Sequence, residues 1–131
     1  MRTRSTTLPK PTDAELTILR CLWRNGPCPV RALCDALKDQ QNWGYTTVLK
    51  FLQIMTEKGL VTRLPEGRAH IYTAAIGEAD VEAEMVSDFI WRVFQGSARK
   101  LVLGALATGD VSTEELAEIK GIVESLEGKQ S

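Results

Sequence analysis

The chain has 131 residues, enough for one domain or for one small domain with an appendage, and its composition is that of an ordinary globular protein. No apolar run approaches the roughly 18 residues a membrane-spanning helix needs. The N-terminus M-R-T-R-S-T-T-L-P-K-P lacks the apolar stretch of a signal peptide, so a cytoplasmic protein is expected.

The net charge of −1 hides an asymmetry. Residues 1–72 hold 11 Lys/Arg against 6 Asp/Glu, and residues 73–131 hold 5 against 11. A basic front half joined to an acidic rear half suggests a polyanion-binding module followed by an assembly or solubilising module. Cys21, Cys28 and Cys34 are odd in number in a chain without an export signal, so reduced thiols are expected.

Residues 1–11 read as a flexible basic arm; Arg2, Arg4 and Lys10 could touch DNA phosphates, but a tail with no specific role is the favoured reading. Thr12-Asp13-Ala14-Glu15 is a capping box that opens a first helix. That helix carries Leu16, Leu19, Leu22 and Trp23 on one side and ends at Asn25-Gly26. Pro27 and Pro29 hold a short extended link. A second helix over about Val30–Lys38 points Val30, Leu33, Cys34 and Leu37 inward.

The stretch from Trp43 to Val61 reads as a DNA-reading helix. Val48, Leu52 and Met55 recur at helical spacing, with Phe51 and Ile54 beside them. Gly59 sits where a C-cap glycine belongs, after Lys58 at the negative end of the dipole. Tyr45, Thr46, Thr47 and Lys50 crowd the first turn and a half, mostly opposite the apolar stripe. Hydroxyls and an amine there suit a major-groove reader, although an amphipathic helix with a solvated face gives the same stripe.

After Gly59 the period changes. Leu60–Leu64 reads as a strand, Pro65-Glu66-Gly67 as a turn and Arg68–Thr73 as the returning strand. Three helices closed by a hairpin make a winged helix-turn-helix, whose wing can place Arg63 and Arg68 on the phosphate backbone.

From Glu78 the pattern is helical again. Val81, Met85, Phe89 and Val93 recur at four-residue spacing. After Gln95-Gly96, Ser97 caps a helix with Leu101, Val102, Ala105 and Leu106. Ser112-Thr113-Glu114-Glu115 opens a last one with Leu116, Ile119, Val123 and Leu126 inward. About 50 residues rarely make a stable core alone, so pairing with a second copy is expected. The candidate dimerisation residues are Val81, Met85, Phe89, Val93, Leu101, Leu106, Leu116, Ile119 and Val123.

Taken together, Glu15-Leu16 with Leu22-Trp23, Trp43-x-Tyr45-Thr46-Thr47-Val48, Lys58-Gly59-Leu60-Val61, Glu66-Gly67-Arg68-Ala69 with Tyr72, Phe94-x-Gly96-Ser97 and the S-T-E-E-L-A-E-I helix resemble the BlaI/MecI/CopY family of bacterial transcriptional repressors, over residues 12–127. The resemblance implies a mainly α protein. A winged-helix DNA-binding domain at 12–75 would be followed by a three-helix dimerisation region at 76–131. It implies a homodimeric repressor of a palindromic operator, with Tyr45, Thr46, Thr47 and Lys50 facing the bases and Arg63 and Arg68 on phosphates. Some relatives carry a charged residue where Leu49 or Thr46 stands, so operator preference is expected to differ.

Beta-lactam-responsive members are cut by a membrane sensor-protease at an Asn-Phe bond in the dimerisation region. The corresponding position here is Gly104-Ala105, which puts induction by that cleavage in question. Copper-responsive members carry a cysteine-rich tail, and this chain has no cysteine after Cys34.

Other chemistries have less support. The cysteine spacings match no common zinc pattern. Cys21 and Cys34 read as small buried thiols on helices, and Cys28, between two prolines, as the most exposed thiol and the only candidate for a thiol sensor. His70, the one histidine, reads as a surface or phosphate-contacting residue. No convergent acid–base set, phosphate loop or nucleophile motif appears, so neither an enzyme nor a cofactor is expected. A winged-helix adaptor is the remaining alternative. Adaptors often lose their basic face, whereas Arg31, Lys50, Arg63 and Arg68 persist here, so Arg31 joins the DNA-binding set.

Overall fold

The computed structural model describes residues 10–130. Most of the expected basic arm, including Arg2 and Arg4, lies outside the described residues. Pro11 is already buried.

Helix α1 spans Asp13–Asn25. The capping box forms in full: Thr12 Oγ1 accepts from the Glu15 amide at 3.2 Å, and Glu15 Oε1 accepts from the Thr12 amide at 2.9 Å. The inward face is Glu15, Ile18, Leu19, Cys21 and Leu22. Leu16, expected inward, is only half-buried. The buried arc runs through positions 15, 18, 19 and 22, and Leu16 falls at its edge.

The link after α1 is more than extended chain. Cys28–Pro29 form strand β1, followed by α2 at Val30–Leu37 and α3 at Tyr45–Lys58. Strands β2 (Val61–Glu66) and β3 (Ala69–Ala74) close the hairpin, and the antiparallel sheet has the order β1-β3-β2. The turn is the two residues Gly67-Arg68, beginning two residues later and ending one later than the expected Pro65-Glu66-Gly67, with Gly67 at φ 62°. Glycine at the first position of a two-residue loop is what a type II′ turn requires. Pro65 lies within β2, opposite His70, and β2 is an edge strand, where a missing amide is tolerated.

Val48, Leu52 and Met55 are fully buried under α3 and meet Ile18, Leu19, Leu33, Leu60, Val61 and Tyr72 in one core. Gly59 ends α3 in the left-handed region at φ 83°, and the amide of Leu60 bonds back to the Met55 carbonyl at 2.9 Å. Before the helix, the rings of Trp43 and Phe51 meet at 4.9 Å and 50°, which holds the entering chain against the helix side.

The chain forms two compact units that divide within α4 (Glu78–Phe94), between Ser87 and Asp88. The first turns of α4 belong to the first unit, where Trp23 Nε1 donates to the Ile76 carbonyl at 2.9 Å. Val81, expected among the dimer contacts, is 1% exposed. It is therefore satisfied within its own chain and is not available to a second copy.

The second unit holds the rest of α4, α5 (Ala98–Ala107) and α6 (Thr113–Gln130). Ser97 Oγ accepts from the Lys100 amide at 3.2 Å, and Ser112 Oγ accepts from the Glu115 amide at 3.0 Å, so both expected caps form. From Asp88 to Lys129 no residue is buried. No helix among the described residues is long and apolar enough to cross a membrane.

One buried charge ties the first unit together. Glu15 is 3% exposed, and its Oε1 also receives Lys58 Nζ at 2.6 Å. Burial pushes the carboxyl up, but the Lys58 ammonium and the Thr12 amide outweigh it and hold Glu15 below its ordinary value. A carboxylate with a lowered folded-state value contributes stability that is complete above the unfolded-state value and is lost as pH falls through the folded one. Glu15→Gln keeps an acceptor for the Thr12 amide. We expect it to cost about 1–2 kcal/mol at neutral pH, because Lys58 remains partly hydrated and is not stranded. Urea melts should show the deficit narrowing as pH falls below the ordinary carboxylate range; a deficit independent of pH would contradict this assignment.

Candidate nucleic-acid interface

With one face of α3 committed to the core, the opposite face is left to solvent. Tyr45, Thr46, Thr47, Lys50 and Gln53 are all exposed along it. Tyr45, Leu49 and Gln53, four residues apart, line an open groove of ≈ 420 Å³ between α3 and the wing.

The groove gathers cations from three elements. Arg31 comes from α2, Arg63 from β2, and Arg68 from the turn, with His70 beside them on β3. The Arg31 guanidinium lies over the Tyr45 ring at 5.3 Å, a cation–π contact that gives both side chains a preferred orientation. None of the three arginines has a salt bridge among the described residues. Donors gathered in a groove beside a polar helix face can hold a phosphate backbone next to the helix. No group of three or more His, Cys, Asp or Glu side chains among the described residues could hold a metal ion.

Sequence reading missed Gln53. Its signal was present in the spacing, since Gln53 follows Lys50 by three residues and Thr46 by seven and so falls on the same polar face.

The thiols differ from expectation at two positions: Cys34, expected to be buried, is half-buried, and Cys28 is the reverse. Cys28, expected to be the exposed one, is 7% exposed. The reason is β1: pairing with β3 sets Cys28 opposite Tyr72 and turns its side chain into the core, where Sγ donates to the Gly26 carbonyl at 3.0 Å. Burial pushes the Cys28 thiol up, and the neighbouring Cys21 adds to the shift, so the reactive thiolate is scarce.

In the second unit, Phe89, Val93, Leu106, Leu116 and Val123 are exposed and Leu101 and Ile119 are half-buried, while Met85, on the part of α4 that belongs to the first unit, is half-buried. Trp91, Leu103 and Ile122 are exposed as well and were absent from the expected set. A soluble single chain rarely leaves so many large apolar groups in water.

Residues 11–125 match the family model described as penicillinase repressor. The chain is 27% identical over 117 residues to the penicillinase repressor of Bacillus licheniformis, covering 89% of this chain and 91% of that protein. It is 30% identical over 92 residues to the transcriptional regulator BlaI of Mycobacterium tuberculosis, covering 70% of this chain and 67% of that one. Among solved structures, the Bacillus licheniformis BlaI monomeric form in complex with the blaP half-operator superposes with a TM-score of 0.50 at 27% identity, over 56% of this chain and 90% of that one. The DNA-binding domain of the repressor BlaI in solution gives 0.51 at 26% identity, over 58% and 93%.

A thiol-reactive maleimide should label half-buried Cys34 first in the native protein, and Cys21 and Cys28 only on unfolding. Rapid native labelling of Cys28, read by mass spectrometry, would reopen the thiol-sensor alternative.

Proposed function

This chain belongs to the penicillinase repressor family and is a DNA-binding transcriptional repressor, not an enzyme, and from that premise we propose that two copies grip a palindromic operator through α3. The observation that carries this reading is the polar face of α3 flanked by the guanidiniums of Arg31, Arg63 and Arg68. Tyr45, Thr46, Thr47 and Lys50 face base edges. The three arginines contact phosphates and set the register of the helix on the duplex. An adaptor would have no use for such a groove.

Residues 12–75 form the DNA-binding domain, and residues 76–131 carry dimerisation. Within that region Phe89, Val93, Leu106, Leu116 and Val123 lack burial in the single chain, which supports a second copy as what covers them. A twofold pair of α3 helices reads half-sites about 34–36 Å apart, or a multiple of that. Release by a membrane sensor-protease would separate the reading heads by cutting between these helices. The residues at the family's cleavage position, Gly104 and Ala105, are exposed on α5 but present a different bond from Asn-Phe, so a different signal or cleavage site is the better reading here.

Two sets of variants test this scheme. Thr46→Ala with Thr47→Ala should flatten the preference between operator and random DNA. Arg68→Ala should weaken both alike and lower the slope of log affinity against log salt by about 1. Equal losses for both sets in gel-shift titrations would count against the division of labour. Separately, Phe89→Asp with Leu106→Asp should yield a folded monomer by sedimentation, with operator affinity reduced at least about tenfold through lost avidity; an undisturbed dimer would refute the interface.

A further inference from the structure

We propose that Gln53 is a base-reading residue, and that it recognises an A·T pair on the wing side of the half-site. The inference rests on the DNA-binding reading of α3 and extends it by a full turn.

Four observations place Gln53 in that role. It is exposed, and it lies on the polar face with Thr46 and Lys50, opposite Val48, Leu52 and Met55. It lines the groove that also holds Arg31, Arg63 and Arg68, so a duplex whose phosphates those guanidiniums hold brings base edges near it. Its amide has no hydrogen-bond partner among the described residues, which leaves donor and acceptor both available. Finally, the next residue on that face is Glu57, exposed and beside Gln53 and Arg63. A carboxylate there repels phosphate, and so marks where the reading surface ends.

The chemistry selects the base. A glutamine amide can donate to adenine N7 and accept from adenine N6–H in the major groove, a bidentate pairing the other bases do not offer. Seven residues separate Thr46 from Gln53, about 10 Å of helix rise or about three base-pair steps. The adenine read by Gln53 therefore lies about three steps from the position governed by Thr46.

The test is selection from a pool of random duplexes with the full-length chain, followed by titration on single-base variants of the enriched sequence. Wild type should enrich a motif with one A·T position whose replacement by G·C costs about tenfold or more in affinity. Gln53→Ala should retain the rest of the motif, while preference at that one position falls below about threefold. Gln53→Glu should shift it toward cytosine, whose amine a carboxylate accepts. If Gln53→Ala enriches the unchanged motif with the same preference at every position, the proposal is overturned while the DNA-binding reading stands. If wild type enriches no motif, the reading it rests on fails as well. Circular dichroism confirms that the variants fold, which an exposed side chain on a capped helix should leave intact.

Discussion

A single carboxylate oxygen positions the reading helix. Glu15 Oε1 accepts from the Thr12 amide at the start of α1 and from Lys58 at the end of α3, two groups far apart in sequence. A buried charge of this kind is poor evidence for net stability, since desolvation offsets much of the attraction. Its effect is on registry: the end of α3 is fixed against the start of α1, and a slide or roll of the helix would strand a carboxylate in the core. Lys58 also sits at the negative end of the α3 dipole, so the ion pair and the helix end support each other.

From that constraint the outer surface follows. Once Val48, Leu52 and Met55 are held inward, the angular spacing of an α-helix leaves Thr46, Lys50 and Gln53 pointing away from the core. The sheet then adds what the helix lacks. Pairing of β3 with both β1 and β2 buries Tyr72 and brings Arg63, Arg68 and Arg31 around the same face. In the proposed reading, the arginines of the groove supply a sequence-independent, salt-sensitive hold and the polar groups along the helix supply selectivity.

The second unit obeys a different logic. Its helices are well capped by Ser97 and Ser112, and the Phe89 and Phe94 rings meet edge-on at 5.7 Å. Local structure is thus specified, yet no side chain from Asp88 to Lys129 is buried in the single chain. Capping fixes where helices begin but supplies little of the free energy that keeps them folded, most of which comes from covering apolar faces.

The sequence by itself determined the helices, their caps, the hairpin and the buried stripe of α3. These depend on neighbours within a few residues: the Thr12–Glu15 box, the Gly59 stop and the spacing of Val48, Leu52 and Met55 are local signals. Tertiary structure alone decided the rest. Two residues of β1 have no period to read, and they become a strand only because β3 lies alongside, which also turned Cys28 inward. Val81 shows the same helical spacing as Phe89, but only the first of them is covered by its own chain. The ion pair between Glu15 and Lys58, and the groove that joins Gln53 to three arginines, unite residues from elements remote in sequence. Such contacts are set by how apolar faces pack, and a one-dimensional pattern identifies those faces without saying which of them meet.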